Sequence, residues 1–499
     1  MTTDAERRLA ASALSQAGST ALGLAGGVGL SILVARALGP DEMGGYALAL
    51  MIVTALEAVA GFGLARTAVR FIAGQAGTPE AAGVLRWLLV RRLVAAAVAT
   101  VALVAAAPLF GALFHDDRLP PLLVVGSLVL LTNLPASVLE SALEGLSRFD
   151  LLARVTLGGT LLYGGTTLLA LALAGSALAV LAAQAVSGLA ILGLLALSAR
   201  RAGALSRRAP APDAAASQRL LRFARQGYLL SLLSFVVHDR VEVLVLGAFS
   251  TEQQVAFYSV ALSAAEAAMR LGPLIVATVF FPLLAADWTR ADRPALAARY
   301  GQCVRYVALT TMPLALVGGV VAEAGVALVF GPSYRPMVPV LRLSLLGAAA
   351  AALAEPPAAV LAAAERQDWL LRVRGPLAVS ALVLDVALVP AFGAVGAACA
   401  NVAVAGVDLV AVGLLTRRLG AATPVLGLGI PLLAGGLAAV AAAPTLGDRT
   451  DAPRLILALL VGGAVYVTTL IAARFFTPED AAIVAPLVRR FRGAPAIVP

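Results

Sequence analysis

The chain has 499 residues; 61% are hydrophobic before its 47 glycines are counted, and 13% are charged. Soluble domains carry about 25% charged residues, and a mean hydropathy of +0.94 excludes a water-covered globular protein. Two cysteines and two histidines far apart in the chain exclude a disulfide framework and match no metal-ligand spacing.

Crossing a bilayer takes about 20 apolar residues. In chain order, such stretches predict helices over 11–34, 45–64, 93–114, 121–140, 155–174 and 177–198. A second set follows over 227–248, 255–284, 304–330, 338–363, 375–391 and 394–415, and a last pair over 424–443 and 454–473. The fold class is therefore all-α integral membrane, with about 14 spans counted from these segments. No cleavable signal peptide is expected, because the apolar stretch after Arg7 and Arg8 exceeds the roughly 7–15 residues of an h-region.

All 37 basic residues are arginine. With both termini cytoplasmic, 29 of them fall in inside segments and 6 at outside positions, while Arg240 and Arg270 lie within spans. That asymmetry follows the positive-inside rule and explains the +9 charge without nucleic acid. The longest connection, 199–226, is basic and rich in alanine and proline; its end, QRLLRFARQ, reads as an interfacial amphipathic turn. It separates residues 1–198 from 227–415, with 416–499 as a further pair of spans and a cytoplasmic tail.

The two six-helix halves resemble each other. ILVARALGPDEMGGYALA (Ile32–Ala49) overlays LVLGAFSTEQQVAFYSVA (Leu244–Ala261) at an offset of 212, with Tyr46 on Tyr258 and Ala49 on Ala261. Equal orientation of two six-span repeats implies a pseudo-twofold along the membrane normal, a transporter architecture with its site between the halves.

Ionisable groups inside spans mark such sites. The seventh span holds His238, Asp239, Arg240 and Glu242; the eighth holds Glu266 and Arg270, four apart and placed to pair. Gly272-Pro273 after them predicts a kink, and Glu355 before Pro356-Pro357 predicts a broken helix. Glu57 in the second span, with Asn133, Pro135 and Glu140 in the fourth, completes the polar set; Asp385 and Asp408 are placed to cap or bridge helices. The candidate substrate cavity is accordingly Asp239, Arg240, Arg270, Glu266, Glu57, His238 and Asn133. Buried ion pairs that only hold helices together are the other reading of these residues, and helix packing is the other reading of the small-residue stripe Ser12, Ser15, Ser19, Gly23 and Gly26.

Seven stretches in order carry a family resemblance: ARALGPDEMGGYALA (Ala35–Ala49), GFGLARTAVRFIA (Gly61–Ala73), ALEGLSRF (Ala142–Phe149), DRVEVLVLGAFSTEQQVAFYSVA (Asp239–Ala261), FPLLA (Phe281–Ala285), VFGPSYRPMVPVLRL (Val329–Leu343) and DVALVPAFGAVGAACANV (Asp385–Val402). The chain resembles the polysaccharide, or O-antigen, flippases, the Wzx-type branch of the MOP exporter superfamily. The resemblance implies a two-lobed helical transporter, not an enzyme, in a bacterial cytoplasmic membrane. Its substrate would be an undecaprenyl-diphosphate-linked glycan, its cofactors none beyond a coupling H⁺ or Na⁺, and a monomer would suffice. Among the sites only Asp239–Arg240 matches a recurring family position; Asp385 stands where relatives often carry asparagine. The rival readings are a peptidoglycan-precursor flippase, a cation-coupled multidrug exporter of the same superfamily and, from another class, a membrane glycan polymerase or ligase. The last needs a sizeable external loop, which the predicted spans do not leave.

Overall fold

The computed structural model describes residues 2–75, 78–205, 210–238, 241–422, 424–447 and 451–476, with side chains described from Gly26 onward, apart from 226, 227, 229–240 and 425. Every regular element among them is helical: α1 (Thr2–Ala60), α2 (Leu64–Ala73), α3 (Pro79–Phe114), α4 (Leu119–Gly145), α5 (Phe149–Leu173), α6 (Ala177–Arg201), α7 (Ala214–His238) and α8 (Glu242–Phe249). These are followed by α9 (Glu252–Met269), α10 (Leu271–Ile275), a π-helical turn (Val276–Phe280), α11 (Phe281–Thr289), α12 (Arg293–Val329) and a 3₁₀ turn (Pro332–Met337). The last four are α13 (Val338–Ala363), α14 (Gln367–Arg417), α15 (Val425–Leu446) and α16 (Ala452–Ala472).

Eleven helical stretches among the described residues are long and apolar enough to cross a membrane. Two of them are each broken at a glycine into two passes: α1 at Gly39 (φ 70°) and α14 at Gly393 (φ 54°). With α7 and α8 as one further pass, the count is the fourteen that the sequence predicts. The expected kink after Arg270 is present as the short α10 and the π-helical turn, where the i→i−4 ladder is interrupted around Pro273. The expected break at Pro356-Pro357 is absent: α13 runs unbroken through both prolines. Both rings are buried beside Ala352, Ala354, Ala358 and Ala359, and such small neighbours leave room for a proline inside a membrane helix.

The chain divides into two compact units, residues 1–260 with 377–397 and residues 261–376 with 398–499. In the first, α3 packs on α4, α4 on α6, and α1 on α5. The pattern on α3 shows why: Ala96, Ala99, Leu103 and Ala107 are buried while Val94, Val98, Val101 and Leu109 are exposed. Small residues at helical spacing let backbones approach, and the larger ones face lipid, which is no less apolar than they are. At the end of this unit reached by the basic segments, Leu64, Ala68, Ile72, Leu85, Leu88, Leu143, Leu220 and Ala224 form one cluster, so the start of α7 is packed rather than loose. In the second unit, α12 packs against α13 and against the α15–α16 pair. Tyr466 there donates its hydroxyl hydrogen to the Leu309 carbonyl at 2.9 Å.

Candidate functional site

Three groups of polar residues stand out, two within the spans and one at the ends of helices. In the first unit, Glu57 of α1 and Asn133 of α4 are hydrogen-bonded through their side chains, and Arg92 of α3 lies within electrostatic reach of Glu57. The sequence predicts the first two as site residues and counts Arg92 with an inside loop. The guanidinium is instead buried, at 4% exposure. Its Nε donates to the Leu134 carbonyl at 2.7 Å, and its Nη1 donates to Ala60 at 3.2 Å and to the Gly61 carbonyl. Nη2 donates to Ser137 Oγ at 3.0 Å. The end of α1, the turn after it and the interior of α4 thus share one cation from α3. The helix start at Pro79 explains the misplacement: α3 has 36 residues, about 54 Å at ~1.5 Å per residue, so its first turns stand clear of the hydrocarbon and Arg92 comes near the boundary.

Beside this group lies a cavity of about 350 Å³ lined by Glu140, Glu144, Thr156, Thr160 and Tyr163 among apolar neighbours. Tyr163 is hydrogen-bonded to the buried Tyr46. At the equivalent place in the second repeat Tyr258 donates to Glu242 Oε1 at 2.6 Å. The two tyrosines matched by sequence therefore each hold a polar group inside their own half.

The second group is Glu266 and Arg270. Both side chains are exposed, and the expected ion pair between them is not formed among the described residues. Arg270 sits directly before α10, midway along the 38-residue stretch Glu252–Thr289. Of the remaining predicted residues, His238 ends α7 with its side chain outside the described residues, and Asp239 and Arg240 lie outside them altogether. Asp385 is buried, with Oδ1 lacking a hydrogen bond among the described residues. Asp408 does bridge: Arg374 meets it through Nε–Oδ1 at 3.3 Å and Nη2–Oδ2 at 3.1 Å, tying together two ends of the broken α14.

The third group lies at the predicted outer end of the first unit, where the sequence shows His115-Asp116-Asp117 as an acidic, solvated turn, although Asp116 is buried. Arg118, between α3 and α4, contacts Glu252 through Nη2, Asp116 through Nε at 3.7 Å and Glu42 through Nη1 at 3.9 Å. The hydrogen bond to Glu252, and then the charges of Glu252, Asp116 and Glu42, hold the Arg118 pKa above its ordinary value against the opposing effect of partial burial. Gln253 donates to Asp41 Oδ1 at 2.9 Å, and these two residues are equivalents at the repeat offset of 212. Equivalent residues that touch must flank the pseudo-twofold axis. Glu42 and Gln254, again equivalents, accept from the N–H groups of Ala177 at 2.9 Å and Ala394 at 3.0 Å. Each of those donors opens a helix just after a glycine with positive φ, Gly175 or Gly393. The repeat proposed from sequence is thus reproduced in hydrogen bonds. The offset could have pointed to these polar residues, since PDE at 40–42 aligns with EQQ at 252–254.

Among the described residues no group of three or more His, Cys, Asp or Glu side chains is arranged to hold a metal ion.

Comparison with solved structures finds the same fold repeatedly. A lipid II flippase MurJ in its inward closed conformation superposes with a TM-score of 0.73 at 13% identity, covering 95% of this chain and 99% of that one. An inward-facing multidrug resistance MATE family transporter of the MOP superfamily gives 0.62 at 17%, covering 79% and 94%. A MOP superfamily transporter from Pyrococcus furiosus gives 0.53 at 15%, covering 83% and 94%. Sequence comparison with curated proteins gives no significant match. The sequence profile of the polysaccharide biosynthesis protein family, however, matches residues 33–339, well over half of the chain. The protein therefore belongs to the polysaccharide biosynthesis protein family, and its described residues share the all-helical fold of those solved membrane transporters.

Proposed function

We propose that the protein is a flippase that carries an undecaprenyl-diphosphate-linked oligosaccharide from the cytoplasmic to the outer leaflet by alternating access. One observation supports this reading most: Arg270 is an exposed guanidinium midway along a membrane-spanning stretch, with no ion pair among the described residues. A charge at mid-span facing lipid is costly, so such a residue belongs to a water-filled cavity. A diphosphate crossing an apolar core needs cations along its path, and Arg270, together with Arg240, supplies them. The interrupted ladder beside Arg270 gives the span a place to bend as access alternates. Family membership favours a glycan over a drug as cargo. Asp239, Glu57 and Glu266 are the carboxylates proposed to exchange H⁺ or Na⁺ during the cycle, the substrate and the bilayer being the only partners required.

The test uses the purified full chain in proteoliposomes with a fluorescent, short-chain polyprenyl-diphosphate disaccharide as the probe, quenched from outside. Arg270→Gln is expected to lower the flipping rate at least tenfold while gel filtration and thermal unfolding stay unchanged. If Arg240→Gln, Arg270→Gln and the double variant all keep the full rate, the arginines do not cradle the diphosphate and the reading fails. Imposed pH and Na⁺ gradients on the same vesicles read the coupling: a rate indifferent to both leaves the carboxylates with a structural role.

A further inference from the structure

We propose that Arg118 is the pin of an ion-pair latch that fastens the outer end of the first repeat to the start of α9 in the second, and that this latch must release before the transporter opens outward. The inference rests on the flippase reading and its topology, and it assigns a role to residues which that reading leaves unused.

Three segments converge on one guanidinium: Glu42 just after the break of α1, Asp116 in the turn before α4, and Glu252 at the first turn of α9. Asp116 is held on its own side by the Arg118 backbone N–H, which donates to Oδ1 at 2.8 Å. Arg118 is thereby oriented from the first repeat, and Glu252 is the partner that can leave. The Gln253–Asp41 hydrogen bond lies alongside, on the pseudo-axis. The helix starts also touch closely, since a Cβ on Gly44 would overlap the Glu252 backbone. Such a junction, placed where the repeats meet on their symmetry axis, keeps their outer ends together as long as it is made.

Its strength suits a reversible device. Arg118 is 52% exposed, and the Glu42 and Glu252 side chains are 38% and 26% exposed. Water competes for the Glu42 and Glu252 carboxylates, so these two pairs are weak and salt-sensitive, whereas Asp116 is buried on the first repeat's side. By contrast, the links that Glu42 and Gln254 make to the N–H groups of Ala177 and Ala394 are intact within each repeat. Release can therefore separate Glu252 and Gln253 from Arg118 and Asp41 without unravelling either repeat.

The experiment uses the full chain in proteoliposomes, with Cys303 and Cys399 replaced by alanine and the pair Asp41→Cys and Gln253→Cys introduced. A short, reductant-cleavable bis-methanethiosulfonate links the two thiols. Cross-linking is expected to lower flipping of the polyprenyl-diphosphate disaccharide at least tenfold, with recovery after dithiothreitol. Adding Arg118→Glu is expected to reduce the cross-link yield severalfold, and combining it with Glu252→Arg to restore it. Flipping that proceeds at the uncross-linked rate through the linked protein, or a yield unmoved by Arg118→Glu, overturns the latch. If the unlinked parent flips no lipid-linked probe, the flippase reading fails by itself. The yield arm still decides the latch in that case, because it needs no substrate.

Discussion

Arg92 ties together several elements of the first unit. Its guanidinium donates to three carbonyls and one hydroxyl from α1, α4 and the turn after α1, with the Glu57 carboxylate nearby. Leaving a buried acceptor without its hydrogen-bond donor costs about 1–3 kcal/mol, and Arg92 serves several. Arg92→Ala is therefore expected to lower the thermal unfolding midpoint of the detergent-solubilised chain markedly. Arg92→Lys should recover only part of the loss, because an ammonium on a flexible stem cannot fan out to several carbonyls in fixed directions. Glu57→Gln should be milder, about 1 kcal/mol, since an amide oxygen still accepts a hydrogen bond. An unchanged midpoint in Arg92→Ala would refute the structural role. Glu57 and Asn133 are legible in the sequence because each interrupts an apolar run. Arg92 is not, because RWLLVRR looks like the basic margin that precedes a span, and only the helix start at Pro79 shows that Arg92 lies three turns inside.

At the scale of helices, the sequence locates passes well and their junctions less well. Gly175-Ser176 separates α5 from α6 as predicted, with Ser176 Oγ accepting from the Ala179 N–H at 3.3 Å. The predicted gap between 391 and 394 closes on one residue, Gly393. The loop predicted over 35–44 shrinks to the Gly39-Pro40 kink, because apolar periodicity cannot distinguish a short loop from a helix that bends at a positive-φ glycine. Gly393 has φ 54° and ψ −134°, a region open essentially to glycine alone. A Cβ there would also come within 2.9 Å of Gln254 Oε1, the acceptor for the Ala394 N–H. Gly393→Ala is expected to destabilise the chain by about 1–3 kcal/mol. Gly193→Ala, inside α6 where a Cβ meets nothing within 4 Å, should be neutral or stabilising by up to ~1 kcal/mol. Equal unfolding midpoints for the two variants would show that the break does not depend on glycine.

For the whole molecule, the repeat and the membrane orientation come from different physics. The repeat is legible as a pattern at one offset, but the contact between Asp41 and Gln253 is not, since sequence similarity carries no distance. Orientation follows from charge: 29 arginines lie on one side of the predicted spans and 6 on the other. Described members of the larger set, Arg66, Arg70, Arg219 and Arg222, are exposed on α2 and α7, while Leu64, Ile72 and Leu220 of the same helices are buried. The opposite end collects Asp41, Glu42, Asp116, Asp117 and Glu252 around one arginine, Arg118. Arginine resists translocation and acidic residues contribute little to topology, so the arginine-rich end is expected to stay cytoplasmic and the acidic end to face out. In intact cells, a membrane-impermeant maleimide is expected to label Asp117→Cys, exposed beside the latch, and to leave Pro212→Cys in the basic linker unlabelled until the membrane is permeabilised. The reverse labelling would invert the chain in the membrane and place the Arg118 cluster on the cytoplasmic side. Export would then begin, not end, at that face, and the direction proposed for lipid-linked glycan transport would fall with it.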